Sequence, residues 1–143
     1  MVKGLKKADT NKTAADGKLK NGLITTYFKD GAIDCVGEYV DGDKTGEWKY
    51  FLVNGNLKAI GNFVSGKMHG EWTWYHLDGS LWQTGSFDDQ ERKSGVWTRY
   101  YANGKMQDAG EFLAGKKVGE WNSYDESGKL VKTQKHKGGA GAK

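Results

Sequence analysis

Apolar and polar residues alternate along this chain in short runs punctuated by glycine. Two adjacent runs show the pattern. In Glu47–Leu52, Trp48, Tyr50 and Leu52 fall on one side, and in Asn56–Phe63, Leu57, Ala59, Gly61 and Phe63 do. Period-two alternation of aromatic and aliphatic residues predicts half-buried β-strands. The Asn54-Gly55 pair between them predicts a hairpin turn, because glycine supplies the positive φ such turns need. Ser65-Gly66-Lys67-Met68-His69-Gly70 predicts a second turn leading into the next strand.

This hairpin recurs. Units begin at Gly22, Gly46, Gly70, Gly95 and Gly119, in steps of 24, 24, 25 and 24 residues. Two residues into each unit stand Ile24, Trp48, Trp72, Trp97 and Trp121. At offset 5 come Tyr27, Phe51, Tyr75, Tyr100 and Tyr124, expected on the opposite face. At offset 9 come Gly31, Gly55, Gly79, Gly104 and Gly128. At offset 15 come Gly37, Gly61, Gly85 and Gly110, and at offset 17 Tyr39, Phe63, Phe87 and Phe112. A glycine among large side chains on one strand face leaves room for a Trp ring to lie over the backbone. No single unit can bury its own aromatic stripe, so neighbours must stack, as in solenoids. The expected fold is all-β: an elongated, single-layer antiparallel meander of about five 24-residue hairpins, roughly 45–50 Å long at about 4.8 Å per strand. Asp16-Gly17-Lys18-Leu19 echoes the repeated turn, so a degenerate unit is expected before Gly22. The last unit is expected to hold only its first strand and turn.

Composition narrows the class. There are 22 Gly, no Pro, 6 Trp and a single Cys. One cysteine excludes a disulfide framework, and the aromatic content excludes a disordered chain. No apolar run approaches a bilayer span, and the N-terminus lacks a secretory apolar region. An intracellular, cytoplasmic protein is expected. The net charge of +4 is uneven: residues 1–21 carry +4, 129–143 carry +5, and 22–128 carry −5. The expected organisation is a basic N-terminal arm (1–16), a repeat domain (17–130) and a basic Gly/Lys tail (131–143). Basic tails favour an anionic neighbour, with Lys3, Lys6, Lys7, Lys132, Lys135 and Lys137 as the contact residues.

Gly46-Glu47-Trp48-Lys49-Tyr50-Phe51-Leu52-Val53-Asn54-Gly55-Asn56-Leu57 and Gly61-Asn62-Phe63-Val64-Ser65-Gly66-Lys67-Met68-His69-Gly70 resemble the MORN repeat, in the variant found in bacterial antitoxin-like proteins. The resemblance covers about residues 17–130. It implies a single-layer meander used as a scaffold, dimerisation platform or partner-binding surface. Choline-binding cell-wall repeats also use aromatic Gly hairpins, but with a shorter period.

Catalytic chemistry has little to stand on. His69, His76 and His136 fall in no metal-ligand spacing, Cys35 stands alone, and the glycines form no phosphate loop. No cofactor and no metal are expected. The expected function is a non-enzymatic scaffold for protein–protein interaction within a larger assembly. RNA binding through the tails and an antitoxin-like inhibitory role are the alternatives; a homodimer is compatible, and lipid contact is not expected. Candidate partner contacts are the aromatic residues Trp48, Trp72, Trp74, Trp82, Trp97, Tyr101 and Trp121. Trp74, Trp82 and Tyr101 are not demanded by the repeat. Asp88, Asp89, Gln90, Glu91 and Arg92 form an irregular loop, one residue longer than its counterparts and lacking their glycine. It is expected to be a looser turn available for binding.

Overall fold

A computed structural model describes residues 12–138. Ten strands form one open sheet in sequence order: β1 (Gly22–Tyr27), β2 (Ile33–Val40), β3 (Asp43–Phe51), β4 (Leu57–Val64), β5 (Lys67–Tyr75), β6 (Leu81–Phe87), β7 (Lys93–Tyr100), β8 (Met106–Leu113), β9 (Lys116–Tyr124) and β10 (Leu130–His136). All neighbours are antiparallel. The expected five-hairpin meander is what forms.

Two kinds of turn join the strands. One edge carries wide turns: Leu52 N–H donates to Asn56 O and Gly55 N–H to Leu52 O, and each of the other units repeats this pair of bonds. The opposite edge carries tight two-residue turns at Asp41-Gly42, Ser65-Gly66 and Ala114-Gly115. Both central residues have positive φ there, the geometry whose twist matches a right-handed ribbon. Each tight turn is tied to the previous unit: Gly66 N–H donates to Lys44 O and Gly115 N–H to Lys93 O.

The repeated glycines have distinct tasks. The first glycine of each later unit (Gly46, Gly70, Gly95, Gly119) lies at a φ of +68 to +74°, close to where the pairing register slips across the tight-turn hairpins. The offset-15 glycines make the sockets the spacing predicts. A Cβ on Gly37, Gly61, Gly85 or Gly110 would lie 2.0–2.1 Å from the ring of Trp48, Trp72, Trp97 or Trp121 respectively. Each indole then donates its N–H to the carbonyl one residue past its glycine: Glu38, Asn62, Ser86 and Glu111, at 3.0–3.2 Å. The side chain thereby pairs a carbonyl beside the slipped register. Tyr39, Phe63, Phe87 and Phe112 meet these rings edge-on, with centroids 5.1–5.3 Å apart. This one-sided row of rings is the core.

Three sequence expectations need correction at the ends. The final unit has its second strand: residues beyond 130 continue as β10, paired Gln134 to Trp121 and Lys135 to Glu120. The tail boundary at 131 therefore falls inside a strand, because no glycine or proline interrupts the run between Gly128 and Gly138. The boundary at 16 cuts a small hairpin, in which Thr13 bridges Leu19 and Lys20 N–H donates to Lys12 O. That hairpin abuts Gly42, the degenerate first unit the echo implied. Finally, the lattice changes at both edges. Ile24 occupies the Trp position of β1, and Gln134 the glycine position of β10.

Candidate functional site

The Trp side of the sheet is here called the front. Trp48, Trp72, Trp97 and Trp121 are only 1%, 3%, 4% and 9% exposed. They were expected to contact a partner; the structure corrects this, because their surfaces are consumed by the glycine sockets and the aromatic neighbours. They build the front face without being offered on it.

A row of lysines lies over these rings. Lys44 Nζ stands 4.8 Å from the Trp48 ring centroid, Lys93 Nζ 4.8 Å from Trp97 and Lys117 Nζ 4.6 Å from Trp121; Lys20 lies over Tyr39. Lys44 also lies over Phe63 and donates to Tyr50 Oη at 3.0 Å. Burial lowers the Lys44 pKa and raises that of Tyr50. All four lysines sit two residues before a unit's first glycine, and Met68 takes the place in the third unit. Sequence analysis missed this position, although the same offset counting exposes it. Among the described residues, no carboxylate lies within ion-pair distance of Lys44, Lys93 or Lys117.

Next to the Trp row runs a second row, set by the pairing register. It crosses every strand without a break: Thr26, Cys35, Tyr50, Ala59, Trp74, Gln83, Arg99, Asp108, Ser123 and Lys132. No residue type repeats along it. It begins with a thiol bonded to a hydroxyl, Cys35 to Thr26 at 3.1 Å. Aromatic Tyr50 and Trp74 follow, and from Gln83 onward it is polar. Arg99 and Asp108 pair through two hydrogen bonds, with Arg99 Nε–H donating to Asp108 Oδ1 at 2.9 Å. The pairing raises the Arg99 pKa, so the guanidinium stays charged. Lys93, Arg99 and Lys117 meet in a shallow depression of about 260 Å³, with Asp108 its one carboxylate. By strand alternation, Glu38, Glu47, Glu71, Glu111 and Glu120 point to the back. The front is basic and aromatic, and the back carries these glutamates together with Lys49, Lys58 and Lys135.

The remaining candidates scatter. Trp74 lies on the front row, stacked on Trp72 at 6.0 Å and tilted against Trp97 at 5.5 Å. Trp82 is on the back, against His76. Tyr101 sits at the wide-turn edge, where its hydroxyl donates to Tyr124 O at 2.6 Å. These three form no common patch. Lys132 is on the front of β10 and Lys135 on its back, while Lys137 follows the strand. Lys3, Lys6 and Lys7 lie outside the described residues.

The loop of residues 88–92 is not loose. Asp88 N–H donates to Arg92 O and Glu91 N–H to Asp88 O. The Asp88 carboxylate accepts from Gln90 N–H and Arg92 N–H, and pairs with Arg92 Nε. It copies the wide turn at Asp125, where the carboxylate accepts from Ser127 and Lys129 N–H. Glu91 replaces the glycine there, at a φ of +64°. It also reaches back to accept from Met68 N–H at 2.9 Å, while Asp89 meets His69 Nε2 at 2.8 Å. The extra residue thus produces a braced turn docked on the preceding unit.

Among the described residues, no group of three or more His, Cys, Asp or Glu side chains is placed to hold a metal ion. Among the described residues, no helix is long and apolar enough to cross a membrane.

A family model for the MORN repeat variant matches residues 44–65, 68–89, 93–113 and 117–137. No curated protein matches the chain. Among solved structures, crystal structures of TarM resemble it in part. A mutant form of S. aureus TarM in complex with fondaparinux, alpha-GlcNAc-glycerol and UDP is 12% identical at a TM-score of 0.47, with 81% of this chain covered. Another TarM crystal structure is 13% identical at 0.46, with 81% covered. This chain spans 22% of the length of either. The four consecutive family matches coincide with hairpins whose glycine sockets and Trp rings recur in register, and the chain belongs to the MORN repeat variant family.

Proposed function

We propose that this protein is a non-enzymatic scaffold that binds a protein partner along its front face. MORN repeats commonly serve as interaction scaffolds, and their fold is a non-catalytic repeat. The observation that carries the reading is the second row from Thr26 to Lys132, which is partly exposed on every strand except β4, where Ala59 is buried in the core. In a repeat protein, lattice residues hold the fold, and a row free of the lattice is available for recognition. Here that row lies between half-buried aromatics and charged groups, the combination that anchors protein interfaces.

The test is face-specific capture from the native source, read by mass spectrometry. One variant neutralises the front pair together (Arg99→Gln with Asp108→Asn), so neither charge is left alone. A second neutralises the back (Glu71→Gln with Glu120→Gln). A partner held by the wild type and the back variant but lost by the front variant supports the proposal. A partner lost only with the back variant overturns it.

A further inference from the structure

We infer that the occupant of this face is an acidic peptide in a polyproline II conformation, with a carboxylate at every third residue. The inference rests on the proposed function and specifies the partner's chemistry.

Charge complementarity comes first. Lys93, Arg99 and Lys117 converge on one depression against the single carboxylate of Asp108. Lys93 and Lys117 have no carboxylate partner among the described residues. A second copy presenting its own front would set lysines against lysines.

Spacing comes second. Lys93 and Lys117 occupy equivalent places on β7 and β9, two strands apart, so their rungs are separated by about 9.6 Å. A polyproline II helix has three residues per turn and rises about 3.1 Å per residue, so positions i and i+3 face the same way about 9.3 Å apart. An extended β-strand would turn i and i+3 to opposite sides. The contact this spacing describes is between carboxylates and ammonium groups, and it needs no free ring face.

A single-stranded nucleic acid also suits basic, aromatic surfaces, but it needs free ring faces on which bases stack. The ring faces of Trp97 and Trp121 are taken by Gly85 and Gly110 on one side and lie under lysine ammonium groups. The peptide is therefore favoured.

The test uses fluorescein-labelled Glu-Pro-Pro repeated five times, a peptide of the same composition with its glutamates clustered, and a single-stranded oligouridine. Each is titrated against the full chain at low salt and read by anisotropy. The expected result is binding of the periodic peptide several-fold tighter than the clustered one. It should fall about tenfold on replacing Lys93→Met and Lys117→Met together, with Lys67→Met at the exposed turn unchanged. Methionine already stands at this lattice position as Met68, so the double variant keeps the fold; its circular dichroism and melting temperature check this. Equal binding of the two peptides, or oligouridine binding tighter than either, overturns the inference. So does an absence of peptide binding while the front-face variant still loses its native partner, a result that leaves the proposed function standing.

Discussion

Trp72 lies so close over Gly61 that a Cβ at that glycine would sit 2.0 Å from the Trp72 ring. Neither residue can be replaced without disturbing the other. Gly61→Ala should destabilise the protein by about 3 kcal/mol through overpacking, and Trp72→Ala by about 3–5 kcal/mol through the cavity it leaves. In the double variant the alanine methyl moves into space the ring has vacated, so the combined loss should fall well short of the sum. Urea unfolding of the four proteins checks this; additive losses would mean the socket is not the source of the cost.

Ala114 holds a φ of +51° in a tight turn before Gly115. An L-residue with a Cβ is strained there, and asparagine tolerates the conformation better. Ala114→Asn should stabilise the protein by about 0.5–1 kcal/mol, seen as a raised melting temperature. Asp41, which already occupies the same turn position, should gain little from the same change.

Glu91 combines a strained backbone with a bond from its carboxylate to Met68 N–H. Glu91→Ala keeps the strain and loses the bond, at a cost of about 1 kcal/mol. Glu91→Gly loses the bond but relieves the strain, so it should lie close to the wild type. A glycine variant much less stable than the alanine one would show that strain plays no part.

The turn carboxylates predict an acid limb. The Asp88 pKa is lowered mainly by the hydrogen bond from Arg92 N–H, and that of Asp125 mainly by the Ser127 hydroxyl. The folded state therefore holds these protons less tightly than the unfolded chain does. Their contribution is present at neutral pH, begins to fall near the unfolded carboxylate value of about 4, and is lost as pH drops through the lower folded values. Asp88→Asn with Asp125→Asn should flatten the fall of melting temperature with acidification. An unchanged limb would assign it to other carboxylates.

The lattice was legible because it repeats: Gly61 and Trp72 announce their partnership by recurring at fixed offsets, and the sockets form where the spacing put them. The second row was not legible, for a physical reason. Its members share no residue type, so Thr26, Tyr50, Trp74, Arg99 and Ser123 make no pattern along the chain, although each stands at the same offset, four residues after its unit's first glycine. A position that does not repeat its chemistry gives no signal in the sequence, and only the strand pairing shows that these side chains lie side by side. Burial misled in the other direction: Trp48 and Trp72 look like a binding surface in sequence, yet single-layer stacking leaves them enclosed.

The two edges deserve a last consequence. A further hairpin added beyond β10 would bring a Trp down where Gln134 carries a side chain, and one added before β1 would find Ile24 in place of an indole. Stacking of a regular hairpin is thereby disfavoured at both edges of the described sheet, because the indole-on-glycine contact that joins neighbouring units has lost one partner at each. Between those edges, equivalent positions recur every second strand at a fixed step of about 9.6 Å. A ligand laid across the strands would therefore meet evenly spaced rungs, whose step is set by the backbone and whose chemistry is set unit by unit.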